Sequence, residues 1–210
     1  GIPAYNWWNE GLHGVARAGR ATVFPQAIGM AASFDTELME RVATTISDEA
    51  RANYNEYRKF GSTERYEGLT YWSPNINIFR DPRWGRVMES SGEDPYLNGE
   101  MARATVEGYQ GDMGKYNIAA CVKHFAAYGA AEAGRDYNTV DVSERTLREY
   151  YLPAYKSAVD AGVKMVMTAF NIVDGVPCVG NKHLVKEILR DEWGFDGVVI
   201  SDYSAYEEMI

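Results

Sequence analysis

The sequence is poor in the residues that build metal centres and disulfide frameworks. Its 210 residues include two cysteines and three histidines. Cys121 and Cys178 do not form a Cys-x-x-Cys pair, and no two histidines have the spacing of metal ligands. Cys121 lies within the apolar run IAACV, where we expect an ordinary buried thiol. The sequence therefore predicts no metal site, and it leaves the redox compartment open.

The chain also lacks a long hydrophobic run, a basic stripe and a phosphate-binding loop. No segment approaches the roughly 18 apolar residues of a membrane span, so we expect a soluble chain with no membrane partner. The formal net charge of −9 opposes binding to a phosphate backbone, and we expect no nucleic-acid partner. No GxGxxG or P-loop pattern follows a strand-like run, which argues against a nucleotide cofactor.

Neither a start methionine nor a signal peptide opens the sequence, which begins Gly1-Ile2-Pro3. Its last residues, SAYEEMI, look like a helix that has only begun. We therefore expect the chain to be an excerpt of a longer protein, in which case the missing signal says nothing about location.

What the chain does contain is a series of strand-like runs separated by amphipathic helices. The runs span residues 70–79, 117–125, 162–171 and 197–202, and each is short and mostly apolar. The predicted helices span 35–57, from Asp94-Pro95 to about Gly111, 143–162 with Pro153 as a kink, and 181–194. The first of them has one face that carries Leu38, Val42, Ile46 and Ala50. Strand alternating with helix indicates a parallel α/β fold.

Polar residues stand at the ends of several of these runs. They are Asn75 and Asn77, Lys123 and His124, Asn171, and Asp202. A barrel places functional groups at the carboxyl ends of its strands, and a complete one needs about 250 residues. The sequence thus favours a (β/α)8 TIM-type barrel over a doubly wound sheet. We expect residues 1–210 to form one partial barrel domain that lacks its last strands.

Asp202 and the pair Lys123-His124 are the sharpest functional candidates. Each ends an apolar run, where desolvation makes a charged side chain costly unless it serves a ligand. Asp202 at a barrel mouth fits a nucleophile, a base or a metal ligand, and the alternative is a cap for the next helix. Lys123 and His124 fit a cleft that binds hydroxyls or a carboxylate.

Two further segments have both a functional and a structural interpretation. Trp7 and Trp8 beside Glu10 could stack against a sugar ring, or they could be a core aromatic pair with a surface carboxylate. His13 fits a structural histidine better than a ligand. The loop RDPRWGR at 80–86 could hold an acidic group or a hydroxyl pair with an arginine fork, or it could be a structural knot of ion pairs.

Taken together, these motifs resemble glycoside hydrolase family 3 over essentially the whole chain. The segments that carry the resemblance are WWNEGLHGV, RDPRWGR with GEDPYL, VKHFAAYG and WGFDGVVISD, in this order. The resemblance implies a (β/α)8-type barrel followed by an α/β sandwich domain. It also implies enzymes that release single sugars from the non-reducing ends of β-linked chains by a retaining mechanism, without a metal or organic cofactor.

The resemblance assigns roles to individual residues. Asp202 matches the catalytic nucleophile, and Arg86, Lys123 and His124 match the residues that hold the hydroxyls of the reacting sugar. Glu10 matches an acidic side chain that grips the outer hydroxyls. The usual acid/base glutamate belongs to the sandwich domain, so it lies outside this chain, and we expect the isolated chain to show little turnover. We also expect the cations Arg86 and Lys123 to keep the pKa of Asp202 low.

Departures from the family pattern bear on which sugar is released. The loop after VKHF contains no histidine, which argues against the N-acetylglucosaminidase branch. Glu10 stands where glucosidases usually carry a shorter aspartate, so its extra methylene would intrude on the CH2OH of a hexose. This favours a β-xylosidase acting on xylo-oligosaccharides, with a β-glucosidase as the alternative and a non-catalytic sugar-binding protein as another. Tyr203, the residue after the matched nucleophile, does not distinguish a xylosidase from a glucosidase. By resemblance alone we expect a secreted or periplasmic protein.

Overall fold

A parallel β-sheet forms the centre of the structure. The computed structural model describes residues 1–209, the side chain of Glu208 excepted. The strands β1 (Thr70–Tyr71), β2 (Ala119–Phe125), β3 (Met165–Thr168) and β6 (Val198–Ile200) pair in the order β1-β2-β3-β6, all parallel. Strands β4 (Ile172–Val173) and β5 (Val176–Pro177) form a separate antiparallel hairpin. The paired strands follow chain order without reversal, which is the arrangement of a barrel and not of a doubly wound sheet.

Helices connect these strands, and the starts of α2 and α3 lie where the sequence predicts them, whereas α1 was not predicted. They are α1 (Ala27–Ala31), α2 (Thr36–Lys59), α3 (Pro95–Gln110), α4 (Glu144–Thr146) and α5 (Pro153–Asp160), with π-helical turns at Leu147–Tyr151 and His183–Glu192 and a 3-10 helix at Ala205–Met209. Asp35 accepts a hydrogen bond from the Leu38 N–H at 2.8 Å, and Asp94 accepts one from Leu97 at 2.7 Å. These caps confirm the predicted starts of α2 and α3. The helix predicted over 143–162 is interrupted before Pro153, as expected for a kink.

The buried face of α2 is rotated slightly from the predicted one. Val42, Ile46 and Ala50 are buried, but Leu38 is 41% exposed and Met39 is buried in its place. Helix α3 packs closely on this face through Gly108, where a Cβ atom would lie 2.5 Å from the Glu40 carbonyl oxygen. The packing partner therefore decided which apolar residue of the first turn is covered.

The predicted strand over 70–79 is shorter in the structure. Only Thr70 and Tyr71 form a regular ladder, and the following residues continue beside β2 in a looser arrangement. The Cys121 N–H donates to the Ser73 carbonyl at 2.9 Å, and the Ile76 N–H donates to the Lys123 carbonyl at 2.8 Å. Pro74 interrupts the ladder because it has no N–H to donate.

The segment around Trp7 to Ala16 is not a strand. Its ladder-like contacts are isolated bridges, such as the one between Glu10 and Ala16. The Trp72 N–H donates to the Asn9 carbonyl at 2.9 Å, which holds this segment next to the end of β1. The apolar and aromatic residues there thus serve tertiary contacts instead of a sheet.

The two faces of the sheet bury different sets of side chains. Val122 and Val166, paired across β2 and β3, belong to the large core shared with the helices. On the other face Cys121, Met165, Met167 and Trp72 form a smaller cluster. Because side chains alternate along a strand, Lys123 shares the face of Cys121 and emerges above this small cluster. Among residues 1–209 no helix is both long and apolar enough to cross a membrane.

Candidate active site

Asp202 and His124 meet at the carboxyl ends of β6 and β2. The residues are 8% and 1% exposed, and 3.2 Å separates His124 Nε2 from Asp202 Oδ2. The other carboxylate oxygen, Oδ1, accepts a hydrogen bond from the N–H of Tyr203 at 2.7 Å. No described residue, His124 included, donates an aligned hydrogen bond to Oδ2. The carboxylate of Asp202 therefore does not cap the helix that follows, and one of its oxygens remains available for chemistry.

The pKa of Asp202 is raised above the ordinary value for aspartate. Burial is the largest cause, since a desolvated carboxylate is costly to ionise, and Glu10 adds to it. The Tyr203 N–H, Lys123 and Arg86 act in the opposite direction without offsetting burial. The expectation that the two cations keep this pKa low is thus wrong. Each cation already has its own carboxylate partner, which weakens its net effect on Asp202.

His124 is enclosed by polar partners on the side away from Asp202. Asn77 Nδ2 lies 3.0 Å from His124 Nδ1, and the backbone N–H of His124 donates to Asn77 Oδ1 at 3.0 Å. Burial, together with the positive charges of Arg86 and Lys123, lowers the pKa of His124 well below its usual value. The imidazole is therefore neutral at physiological pH.

Lys123 is joined to the segment that carries Glu10. Its Nζ lies 3.6 Å from Glu10 Oε2, and the Trp8 indole N–H donates to Glu10 Oε1 at 2.9 Å. Lys123 is 7% exposed, whereas the Glu10 side chain keeps a quarter of its surface open to solvent. This places one accessible carboxylate and one buried ammonium side by side, an arrangement suited to vicinal hydroxyl groups.

Asp202, His124, Lys123 and Glu10 form a polar group that we call the cluster. Arg86, on the RDPRWGR loop, acts on it through its charge. Its guanidinium makes two hydrogen bonds to Glu89, at 2.8 and 2.6 Å, and Glu89 also accepts from the Asn75 amide at 3.1 Å. Although burial opposes it, this pairing with Arg86 lowers the pKa of Glu89. Arg86 also lies over the Tyr128 ring, 5.4 Å from its centroid. Arg86 is thus a fixed, planar cation, and its charge lowers the pKa of Asp202.

The rest of the RDPRWGR loop has a structural role. Arg83 and Asp81 form an ion pair at 2.6 Å on the surface, and Trp84 is buried with its indole N–H donating to Asp136 at 3.0 Å. The structural interpretation therefore holds for Arg83, Asp81 and Trp84, and a ligand-binding role for Arg86 stays a prediction.

The two tryptophans of the predicted sugar platform are separated by the structure. Trp7 packs edge-on against Tyr5 and lines a cavity of about 470 Å³ near the start of the chain. Trp8 belongs to the cluster, where it binds Glu10 and is stacked on Trp72 with a ring separation of 5.4 Å. The structure thus gives Trp7 no contact with the cluster, because adjacent side chains on an extended segment point to opposite sides. His13 binds the Phe24 carbonyl through Nδ1 at 2.8 Å, as expected of a structural histidine.

Sequence reasoning missed two residues that support the cluster. Glu89, which fixes Arg86, could have been found from the sequence because it follows Arg86 by three residues, at the end of the short helix Val87–Glu89. Tyr155, on α5, donates to the His124 carbonyl at 2.6 Å, and no local pattern connects these two residues. Among residues 1–209, no three histidine, cysteine or acidic side chains are grouped as metal ligands.

The family model for the glycosyl hydrolase family 3 N-terminal domain matches residues 1–210, the whole chain. The chain belongs to glycoside hydrolase family 3. The N-terminal domain of this family is a TIM-type barrel, which confirms the predicted fold and explains the parallel strands in chain order.

Curated relatives cover the chain almost completely. A xylan 1,4-β-xylosidase from Xylanibacter ruminicola is 45% identical over 99% of this chain and 25% of its own length. A periplasmic β-glucosidase from Salmonella typhimurium is 41% identical over 91% of this chain and 24% of its own length. The chain therefore spans about a quarter of the length of these family 3 relatives.

Solved structures agree with this family. A β-glucosidase from Listeria innocua in complex with isofagomine has a TM-score of 0.85 and 48% identity, over 96% of this chain and 26% of that one. A β-glucosidase from Erythrobacter marinus has a TM-score of 0.89 and 36% identity, over 100% of this chain and 26% of that one. The relatives thus include both xylosidases and glucosidases.

Proposed function

We propose that this chain is the nucleophile-bearing part of a retaining, exo-acting β-glycosidase. The observation that carries the proposal is Asp202, a buried carboxylate with one oxygen free of aligned donors and His124 Nε2 3.2 Å away. Lys123 and Arg86 border it, so hydroxyl-binding groups surround the position where an anomeric carbon would be attacked. The names of the family 3 relatives support the same class of reaction.

The reaction divides into two displacements at the anomeric carbon. Asp202 Oδ2 forms a bond to that carbon while the bond to the leaving oxygen breaks, and an acid gives that oxygen its proton. Water then attacks the glycosyl ester, gives its proton to the same group and frees Asp202. Charge builds up on the sugar ring in both transition states, where hydrogen bonds to its hydroxyls become stronger. We assign these bonds to Lys123, His124 and Arg86, whose charges or N–H groups act around Asp202.

The acid/base group is proposed to come from the longer protein, in a C-terminal domain. Two acidic side chains belong to these surroundings: Glu10, whose charge acts on Asp202, and Glu89, which holds Arg86. Glu89 has a lowered pKa and holds Arg86, so it is ionised and unsuited to donate a proton. Glu10 is held by Trp8 and Lys123. This supports the expectation that residues 1–210 alone turn over little substrate.

Within this class, we propose a preference for terminal β-D-xylosyl residues, as in a xylan 1,4-β-xylosidase. Glu10 supports it, since Trp8 and Lys123 hold its long side chain at the edge of the site, where a hexose would carry its CH2OH group. β-Glucosidase activity is the alternative, because relatives of both kinds are similar to this chain. A periplasmic or secreted location is proposed on the Salmonella relative, which is named periplasmic.

The test uses the full-length protein with aryl β-xyloside and aryl β-glucoside. We expect the xyloside to have the higher kcat/KM, and a 2-deoxy-2-fluoro glycoside to leave a covalent adduct on Asp202. An adduct on another carboxylate would refute the assignment of the nucleophile. Sugar binding without turnover would favour the non-catalytic alternative, and faster glucoside hydrolysis would refute the pentose preference alone.

Shortening Glu10 should shift the choice of sugar. In Glu10→Asp, the missing methylene makes room for the CH2OH of a hexose, and one methylene discriminates by about 1–3 kcal/mol. We expect the ratio of kcat/KM for xyloside over glucoside to fall by about tenfold or more. Glu49→Asp, a surface carboxylate bound to Thr22, serves as the matched control and should leave the ratio unchanged. An unchanged ratio in Glu10→Asp would show that this side chain does not set specificity.

A further inference from the structure

Two fully buried polar side chains, Asn77 and Tyr155, are hydrogen-bonded to His124 on the side away from Asp202. Asn77, on the segment that follows β1, lies between His124 at the end of β2 and Tyr155 on α5. Their exposed fractions are 2%, 1% and 1%. Nothing in the mechanism above uses Asn77 or Tyr155, yet burying their polar groups is costly unless they are satisfied.

The hydrogen bonds fix the orientation of the Asn77 amide. Its Oδ1 accepts from the backbone N–H of His124 at 3.0 Å and also lies 3.2 Å from the Tyr155 hydroxyl oxygen. The single proton of that hydroxyl goes to the closer His124 carbonyl at 2.6 Å, so the backbone N–H is the donor that fixes the amide. An amide turned by 180° would point its NH2 group at this backbone N–H, which can only donate. Oδ1 must therefore stay where it is, and Nδ2, which can only donate, faces His124 Nδ1 at 3.0 Å.

The Asn77 orientation in turn decides where the imidazole carries its proton. A nitrogen that receives a hydrogen bond from an amide N–H must be unprotonated, so the proton of neutral His124 lies on Nε2. Nε2 is the nitrogen 3.2 Å from Asp202 Oδ2. The Tyr155 hydroxyl holds the backbone of the same residue in place, since it donates to the His124 carbonyl at 2.6 Å.

We propose that Asn77 and Tyr155 are positioning residues that keep His124 in its neutral Nε2–H tautomer, so that this nitrogen always donates toward Asp202 and the bound sugar. The catalytic consequence rests on the proposed glycosidase function. With the opposite tautomer, a bare Nε2 would face the carboxylate of Asp202, and two acceptors would repel each other. With the Nε2–H form, the imidazole can donate to a sugar hydroxyl or to the carboxylate.

The decisive substitution is Asn77→Asp in the full-length protein. A carboxylate at this position accepts the proton of Nδ1–H, so the proton moves away from Nε2, and the negative charge raises the pKa of His124. We expect kcat/KM to fall about 100-fold, the scale of losing a partner that orients a functional imidazole. A new ionisation should also appear in the pH profile of kcat/KM. Tyr155→Phe should lower kcat/KM about tenfold, as expected for the loss of one hydrogen bond.

Controls separate positioning from a loss of structure. Asn98 is equally buried but binds the carbonyls of Ile76 and Asn77 instead of the imidazole, so Asn98→Asp should lower Tm without the new ionisation. In a protein that already carries His124→Gln, adding Asn77→Asp should lower kcat/KM by less than about threefold, because no imidazole tautomer remains to be changed. A full 100-fold loss in that protein would overturn the proposal.

Nuclear magnetic resonance reads the tautomer without reference to activity. Full-length protein labelled with 15N-histidine is compared with the same protein carrying His124→Gln, which identifies the His124 signals. We expect an unprotonated Nδ1 and a protonated Nε2 at neutral pH, where the buried imidazole is uncharged. A protonated Nδ1 in the unsubstituted protein would overturn the inference even if the protein is active. The expected tautomer in a protein that hydrolyses no glycoside would sink the proposed function instead.

Discussion

Asp202→Asn in the full-length protein is expected to abolish hydrolysis while making the fold more stable at neutral pH. An amide cannot form the glycosyl ester, so kcat should fall by about 10⁴-fold or more. The amide oxygen still accepts from the Tyr203 N–H, so the local backbone keeps its hydrogen bond. Steady-state rates with an aryl glycoside, measured beside thermal unfolding curves, provide both readouts.

The gain in stability follows from the sign of the pKa shift. Burial raises the pKa of Asp202 in the folded state above its unfolded value, so the folded state holds the proton more tightly. Stability is then lost as the pH rises from the unfolded value, about 3.9, through the folded one. The amide of the Asp202→Asn variant carries no charge to desolvate, so Tm of the variant should exceed that of the parent at pH 7, and the difference should vanish in acid.

A matched control lies just before the same strand. Asp196 is exposed ahead of β6, so Asp196→Asn removes the same charge from the chain without touching the site. It should change neither rate nor Tm appreciably, since surface substitutions stay within about 0.5 kcal/mol. A loss of less than tenfold in Asp202→Asn would remove Asp202 from the role of nucleophile. A lower Tm at pH 7 would show that its carboxylate stabilises the fold.

Lys123→Met is expected to have the second largest effect, on both rate and pH dependence. Methionine preserves most of the volume of the side chain but removes the ammonium group beside Glu10 and Asp202. Losing one charged donor to the transition state costs about 10²–10³-fold, which we expect in kcat/KM. Lys123 also lowers the pKa of Asp202, so its removal raises that pKa further. The acidic limb of the kcat/KM profile should therefore move to higher pH.

The charge and the hydrogen bonds of Lys123 can be tested apart. Lys123→Arg keeps the positive charge with a different geometry, so it should lower kcat/KM but leave the acidic limb close to its original position. Lys164→Met, at an exposed site before β3, controls for a general change in net charge. An acidic limb that stays in place in Lys123→Met would show that this charge does not act on the nucleophile.

Local sequence was sufficient to locate much of this architecture and the centre of the site. Helix starts follow from single capping residues, such as Asp35 and Asp94, whose side chains bind N–H groups three residues ahead. Lys123, His124 and Asp202 were recognisable because each charged or polar group ends an apolar run. Parallel strands gather such ends on one rim, so proximity along the fold follows from position along each strand.

The tertiary structure alone decided the properties that depend on distant partners. It set the direction of the pKa shift at Asp202, since burial is a sum over neighbours that no short pattern contains. It separated Trp7 from Trp8, and it brought Tyr155 to Asn77, 78 positions away in the chain. The amino-acid order therefore determined which chemical groups reach the rim, whereas packing determined their charge, their orientation and, through Asn77, the proton position on His124.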